Sequence, residues 1–457
     1  METDIIIIGA GPGGYEVAVR AAKQGRRVVL VEKRAVGGTC LNEGCIPTKC
    51  LCHSAEVLEQ ISEGPSLGIT CENVRFDLHQ AIARKDEVVS RLSSGIDMLL
   101  RHPNISVVQG TARFVDSHTI AVAAPDEGLA EETRYTAPHI IIATGSVTKR
   151  LPIPGADSAG VVTSTEMLRL EKLPQRLCVI GGGVIGLEFA SIFRSFGSEV
   201  TVVEYCKEVL PQFDKDIAKR LRTALKKRGI AFHTGAAVTA IERLESGASR
   251  VSYEEKGRTE SLEADLVLMA VGRAPYFEGL GLSEVGIDHT PRGIVVDENM
   301  QTSVPGVYAV GDVNGLCQLA HAATFQSYRA LDHILGHPSS TRLDIVPAVV
   351  FTSPEAATVG LSEEALTAQG IAYTAHKSFY RANGRALTAG AEEGLVKLLA
   401  DPHDGRILGA HILGAHAAEL IHEVSQLMNV DGTLSQISHS VHAHPSMSEL
   451  ILGAAGE

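Results

Sequence analysis

The 457-residue chain contains no Trp, and its aromatic residues amount to only 4%. It has no basic run: 41 Lys and Arg against 54 Asp and Glu leave a formal net charge of −13. An acidic chain without a cationic stripe is poorly suited to phosphate backbones, which argues against a nucleic-acid partner. Long hydrophobic runs are missing too. The apolar stretches Ile5–Ile8 and Ile140–Ala143 fall far below the roughly 20 residues needed to span a bilayer, so no membrane association is expected. No basic segment, apolar core and cleavage site open the chain, so no secretory signal is expected and a cytoplasmic location is. Eight Cys over this length do not make a secreted disulfide framework. A close Cys pair in such a chain reads as redox-active or metal-binding. Hydrophobic residues at 44% and charged residues at 21% fit a globular chain of about three domains. Glycine, at 45 residues, is abundant and points to close backbone approach to ligands.

The organisation is dominated by one pattern used twice. The first copy runs Asp4–Ile8, Gly9-Ala10-Gly11-Pro12-Gly13-Gly14, a helical stretch to Gln24, then Arg27–Val31 and Glu32. The second runs Leu177–Ile180, Gly181-Gly182-Gly183-Val184-Ile185-Gly186, a helix to Phe196, then Glu199–Val203 and Glu204. First glycine and terminal acid are 23 residues apart in both copies. Each copy reads as strand, G-x-G-x-x-G turn, helix, strand and carboxylate. The glycines permit a tight turn whose N–H groups approach a pyrophosphate, helped by the helix N-terminus. The acid accepts hydrogen bonds from a ribose diol. Two glycine-rich turns with no ligand are the bland alternative. Two dinucleotides in one chain suggest FAD on the first and a nicotinamide on the second. Glu204 favours NAD, because a carboxylate repels a 2′-phosphate.

Between and beyond these units the pattern is coarser. Residues 54–102 read as long helices, and Ile105–Ala123 as short strands and turns. Pro125–Thr133 reads as a hairpin loop, and Pro152-Ile153-Pro154-Gly155 as a crossing between domains. After Pro338 strands give way to helices near Ala417–Met428 and after Pro445.

Soon after Glu32 comes Gly37-Gly38-Thr39-Cys40-Leu41-Asn42-Glu43-Gly44-Cys45-Ile46-Pro47-Thr48-Lys49. On a regular helix, residues five apart have Cα atoms roughly 8.7 Å apart. A disulfide wants roughly 4.4–6.8 Å. Cys40 and Cys45 can therefore bridge only where the helix is irregular or just starting, and Gly44 and Pro47 permit that. A buried thiol pair or half of a metal site stays open on these residues alone. Cys50 and Cys52, further along, read as small buried residues.

Residues 37–49 resemble the redox-active segment of the flavin disulfide reductases, the class I pyridine nucleotide-disulfide oxidoreductases. The resemblance covers essentially the whole chain. Ala143-Thr144-Gly145-Ser146 is similar to the family's motif between its two nucleotide domains. Tyr308-Ala309-Val310-Gly311-Asp312 is similar to its second FAD motif, and Ala270-Val271-Gly272-Arg273 to the segment closing the nicotinamide domain. His442–Glu449 is similar to its C-terminal catalytic motif. Thr324-Phe325-Gln326-Ser327 departs from the acidic residues and glycine often found there, and Thr358 stands where Trp is common.

The resemblance implies an α/β fold: two Rossmann-like dinucleotide-binding domains plus a C-terminal α+β dimerisation domain. Residues 1–147 and 273–341 form the FAD part, 148–272 the NAD part and 342–457 the interface. It implies FAD binding by Gly9, Gly11, Gly14, Glu32, Thr39, Lys49, Ala112, Thr144, Gly145, Ser146, Gly311, Asp312, Leu319, Ala320 and His321. It implies NAD binding by Gly181, Gly183, Gly186, Glu204, Val238 and Gly272. A Cys40–Cys45 disulfide is implied, with Cys40 attacked by substrate and Cys45 facing the flavin. His444 is the implied base, oriented by Glu449 and reaching the cysteines of the other subunit of a homodimer. A thiol must be deprotonated before it attacks, and histidine suits that near neutral pH. Ser446-x-x-Glu449 is also a capping-box pattern for the last helix. Lys49 and Glu188 are an implied pair beside the flavin ring, with two solvated charges as the alternative. His439, His442 and His444 offer a further candidate metal cluster, but no resident metal is expected. Within the family the chain most resembles the members that use NAD to oxidise the dithiol of a lipoylated carrier protein. Such carriers belong to 2-oxoacid dehydrogenase or glycine-cleavage complexes. A glutathione- or mercuric-reductase-like enzyme, or a non-catalytic flavoprotein with diaphorase activity, are the alternatives. Glu204 and a tail without a Cys pair argue against the first two.

Overall fold

The computed structural model describes residues 1–124 and 132–456, in two compact units. Most of the hairpin expected at Pro125–Thr133 lies outside the described residues. The first unit comprises Met1–Cys50, Ile82–Lys149 and Arg273–Leu343. Its parallel sheet has the strand order Val307–Ala309, His139–Ile142, Ile5–Ile8, Val28–Glu32, Ile105–Gln109. Ile5 lies across from Val28 on one side and His139 on the other. The central strands are covered on both faces, which is why they are unbroken runs of Ile and Val instead of alternating ones. The helix Pro12–Lys23 follows the first strand and packs on the helix Ala320–Ile334. Pro12 is at its first turn, where a missing N–H costs nothing. The antiparallel strands Thr111–Asp116, Thr119–Ala123 and Glu132–Thr136 complete this unit.

The second unit comprises Leu51–Ala81, Arg150–Gly272 and Asp344–Glu457. Its parallel sheet repeats the design, in the order Ala231–Thr234, Glu199–Glu204, Arg176–Ile180, Leu266–Met269, Val161–Val162. The turn helix is Val184–Ser195, and a three-stranded antiparallel sheet spans Ala236–Ala264. The C-terminal part is a five-stranded antiparallel sheet, in the order Ala348–Val350, Ala356–Gly360, Ile407–Leu413, Leu395–Ala400, Thr374–Phe379. The helices Ala417–Met428 and Glu449–Ala455 pack against it. Lys397 in this sheet is fully buried and donates to both oxygens of Asp214 at 2.8 Å and to Glu363 at 2.6 Å. Asp214 also caps the helix Lys215–Lys227, so the charge cluster ties that helix to the sheet. Removing one partner of such a pair strands a buried charge, at about 3–5 kcal/mol.

Between positions 54 and 102 the expected helices are present but interrupted. One spans Cys45–Glu63 and another Leu78–Leu100, with a short 3-10 turn at Gly64–Leu67 between them. Pro65 in that turn stops the first helix, since proline cannot donate to the preceding turn.

Candidate active site

The first glycine turn is built by close backbone contact. Gly9 has φ +103°, and a Cβ there would collide with the carbonyl of Ala143. A Cβ on Gly14 would collide with the carbonyl of Gly9. Gly38 approaches from above: a Cβ there would lie 2.7 Å from the Gly11 Cα. Glu32 is buried, and its two oxygens accept the N–H groups of Ala10 at 2.7 Å and Arg34 at 2.8 Å. A carboxylate has about four lone-pair sites, so capacity remains for a diol.

The second turn copies this bond for bond. Gly181 has φ +111° and would collide with the Ala270 carbonyl, and Gly186 with that of Gly181. Glu204 is buried and accepts from the N–H groups of Gly182 and Cys206. The residues over it differ, however. Among the described residues, a Cβ on Gly183 would meet nothing within 4 Å. Val238, on the strand Ala236–Arg243, is half-buried.

Cys40 and Cys45 are joined in a disulfide, with Cα atoms 4.6 Å apart. The helix Gly38–Glu43 carries Cys40 and ends at Gly44, whose φ of −143° and ψ of −105° break it, and a new helix starts at Cys45. That break supplies the irregularity the spacing demanded. Thr39 and Lys49, both half-buried, flank the pair in sequence. Cys50 is buried, which pushes its thiol up from the usual value against the opposing pull of Arg84. Cys52 is only half-buried, a correction to the expectation, and its Sγ donates to the Phe351 carbonyl at 3.4 Å.

At the C-terminus Glu449 does two jobs at once. One oxygen lies 2.9 Å from His444 Nδ1, and the other accepts the Ser446 N–H at 2.8 Å. The two expected roles were alternatives in the sequence, yet they use different oxygens. The capping box itself is only half formed. The helix begins at Glu449 with Ser448 as its cap, and the Ser446 hydroxyl bonds Ser448 instead. With Nδ1 facing a carboxylate, Nε2 is the basic nitrogen of His444, whose side chain is 80% exposed. The bonds from Ser446 and His444 hold the Glu449 carboxyl below its ordinary range. Among the described residues no group of three or more His, Cys, Asp or Glu is placed to hold a metal ion. Nor is any helix among them long and apolar enough to cross a membrane.

Residues 3–327 match the family model for pyridine nucleotide-disulphide oxidoreductases. Residues 346–455 match the dimerisation domain of the same family. The chain belongs to the pyridine nucleotide-disulphide oxidoreductases. It is 40% identical to a dihydrolipoyl dehydrogenase of Geobacillus stearothermophilus over 457 residues, covering 100% of this chain and 96% of that one. The structure resembles LpdA from Mycobacterium tuberculosis with a TM-score of 0.91 at 30% identity, over 99% of each chain. It also resembles the HOCl-induced flavoprotein disulfide reductase RclA from Escherichia coli, with a TM-score of 0.86 at 33% identity over 99% of each chain.

As an oxidoreductase of this family the protein uses FAD and NAD, and its residues fit them. The first and third glycines of each turn have no room for a side chain, the second glycines, Gly11 and Gly183, offer bare backbone to a pyrophosphate, and both acids retain acceptor capacity. Several of the other residues expected to bind FAD follow directly on the strands His139–Ile142, Val307–Ala309 and Ile105–Gln109. Thr144 donates to the Tyr276 carbonyl, while the Gly145 carbonyl accepts the Tyr276 N–H at 2.9 Å. Ser146 donates to Asp312, a half-buried carboxyl that burial raises above its usual value. Gly311 has φ +77°, and Leu319 caps the helix that Ala320 and the exposed His321 begin. Ala112 is buried in the adjoining antiparallel sheet. Gly272, with φ +100°, ends the segment Arg150–Gly272 of the second unit. Glu188, buried on the helix Val184–Ser195, accepts the Phe351 N–H at 3.0 Å.

Two contributors escaped the sequence reading. Arg273 donates to the Ser146 hydroxyl and carbonyl, both at 2.7 Å, and so fixes the oxygen that faces Asp312. Gln326 is buried and accepts from the Gly311 N–H at 2.7 Å and Asn314 at 2.9 Å. It stands inside the Thr324–Ser327 departure, and that departure was the one available signal.

Proposed function

We propose that the protein is a dihydrolipoyl dehydrogenase. It oxidises the dithiol of dihydrolipoamide, carried on a lipoylated protein of a 2-oxoacid dehydrogenase or glycine-cleavage complex, and delivers the electron pair to NAD. The observation that carries the reading is a disulfide set at a helix break together with a histidine–carboxylate dyad whose basic nitrogen is open. His444 Nε2 takes the proton of one substrate thiol. The resulting thiolate attacks Cys40 Sγ, the Cys40–Cys45 bond breaks, and Cys45 leaves as a thiolate. The second substrate thiol then attacks the mixed disulfide, which releases lipoamide and the Cys40 thiol. The first glycine turn and Glu32 would hold FAD, which would supply a two-electron carrier between the reduced Cys40 and Cys45 and the NAD held by the second turn and Glu204. Glu204 selects NAD by accepting from the ribose and repelling a 2′-phosphate. Lys49 stabilises negative charge during reduction.

In this reading residues 1–147 and 273–341 bind FAD, 148–272 bind NAD and 342–457 join two subunits. The matched dimerisation domain supports a homodimer in which His444 serves the cysteines of the partner chain. Mixing inactive Cys45→Ser and His444→Gln subunits tests this. A heterodimer then holds one fully wild-type site and regains activity. No recovery in a sample shown to contain heterodimers contradicts the shared site.

A further inference from the structure

The base His444 lies in a stretch of chain with little of its own to hold it. From Ser438 to Pro445 every residue is exposed except one, and Val441–Ala443 have no regular secondary structure. The exception is His442, whose side chain is only 8% exposed. Its Nε2 lies 2.8 Å from Glu423 Oε1, on the helix Ala417–Met428. Its Nδ1 lies 3.0 Å from the carbonyl oxygen of Ser440. Both partners are acceptors, an arrangement that suits a ring donating from both nitrogens; burial pulls the ring's pKa down, but the bonds to Glu423 and Ser440 outweigh it and raise it above the ordinary value. A hydrogen bond to a charged group is stronger than a neutral one, and here the Glu423 carboxylate is the acceptor.

This contact complements the one already described. Glu449 orients His444 from the C-terminal side, at the start of the last helix. On the N-terminal side, His442 joins the segment to a second, longer helix. Only Ala443 separates the anchor from the base, so a fixed His442 ring limits where the His444 backbone can go. Effective proton transfer needs the base within hydrogen-bond reach of the thiol.

We propose that His442 is a positioning residue: pinned to Glu423, it holds the segment that presents His444 to the dithiol. The inference rests on His444 being the base. It assigns no contact between His442 and substrate. It also separates His442 from the exposed His439, whose ring, among the described residues, bonds at its own helix end to Ser435 and Ser438.

The test compares two reactions of the FAD-loaded protein, dihydrolipoamide oxidation with NAD and NADH oxidation with a dye, which needs no thiol deprotonation. His442→Ala is expected to lower kcat for dihydrolipoamide roughly 10- to 100-fold, the loss that misplacement of about 1 Å can cause. Its KM for NAD, its dye reaction and its melting temperature are expected to stay near wild type. Glu423→Ala should match it, and the double variant should be no worse than either single one, because the two side chains act through one contact. His442→Gln, whose amide still reaches Glu423, should recover part of the rate. A parallel fall in both reactions with a lower melting temperature would show a merely structural role and overturn the proposal. So would unchanged dihydrolipoamide oxidation in His442→Ala. His444→Gln separates the two levels: if it is inactive while His442→Ala oxidises dihydrolipoamide at the wild-type rate, only the positioning role fails. If His444→Gln is itself active, the base assignment falls and the positioning role with it.

Discussion

At Gly11 the chain folds back over its own glycine turn, and at Gly183 it does not. Otherwise the two nucleotide turns match closely. Gly9 and Gly181 donate to Val31 and Val203 at 2.8 and 2.9 Å, and Ala143 and Ala270 donate to Ile8 and Ile180, both at 2.8 Å. Even the return of the chain is echoed, with Gly37 donating to the Ala10 carbonyl and Leu210 to that of Gly182. After that point the copies diverge. In the first, Gly38 presses on Gly11 and begins the helix that carries Cys40. In the second, Leu210 leads through Pro211 and Phe213 to the helix Lys215–Lys227, and space over Gly183 stays open. With FAD on the first turn and NAD on the second, as proposed, the difference suits the two cofactors. A flavin that serves every turnover gains from a covered turn joined to the redox cysteines. A nicotinamide that leaves after each turnover needs an open one.

The largest effect should come from filling the covered turn. Gly38→Ala adds a Cβ at φ +59°, against the Gly11 Cα. The left-handed backbone alone costs about 1–2 kcal/mol. Overpacking adds about 1–3 kcal/mol. Thermal melting should fall, and flavin should be lost on gel filtration. Gly183→Ala, its counterpart, should leave the melt and the flavin content near wild type and raise only the KM for NAD. Equal behaviour of the two variants would erase the distinction between covered and open turns.

A smaller effect should follow from the paired acids. Glu204→Gln weakens bonds to a charged acceptor, each worth about 1.5–3 kcal/mol, so NAD should bind roughly 10- to 100-fold more weakly. Discrimination against NADP should relax as the repelling charge goes. Glu32→Gln should instead speed flavin release on dialysis and leave the KM for NAD unchanged. Steady-state kinetics and flavin absorbance separate the two. The smallest effect is expected at Arg34, whose side chain is 59% exposed and pairs with Glu43 at 3.1 Å. Exposed pairs contribute at most about 1 kcal/mol, so Arg34→Ala should barely change flavin retention.

Much of this was legible in the residues because it is local. Glycine spacing, apolar strands and a terminal acid all lie within one strand–helix–strand unit, and the structure reproduces both copies. The Cys40–Cys45 spacing stated a condition, a broken helix, that Gly44 meets. Glu449 was legible as two competing roles, since one spacing serves a cap and a dyad; the fold gives each role its own oxygen. Arg273 acts on Ser146 from far along the chain, and Gln326 supports Gly311 from the next helix. His442 depends on Glu423 in an earlier helix, and Lys397 on Asp214. Nothing in local spacing encodes such pairs, because they form only when distant segments pack.

The most direct test of the account is reduction of NAD by free dihydrolipoamide in the FAD-loaded protein, with NADP and the Cys45→Ser variant alongside. The account predicts rapid NADH formation, little reduction of NADP, and none of either by the variant. Reduction of NAD no faster than in Cys45→Ser, or equally fast reduction of NADP, would contradict it.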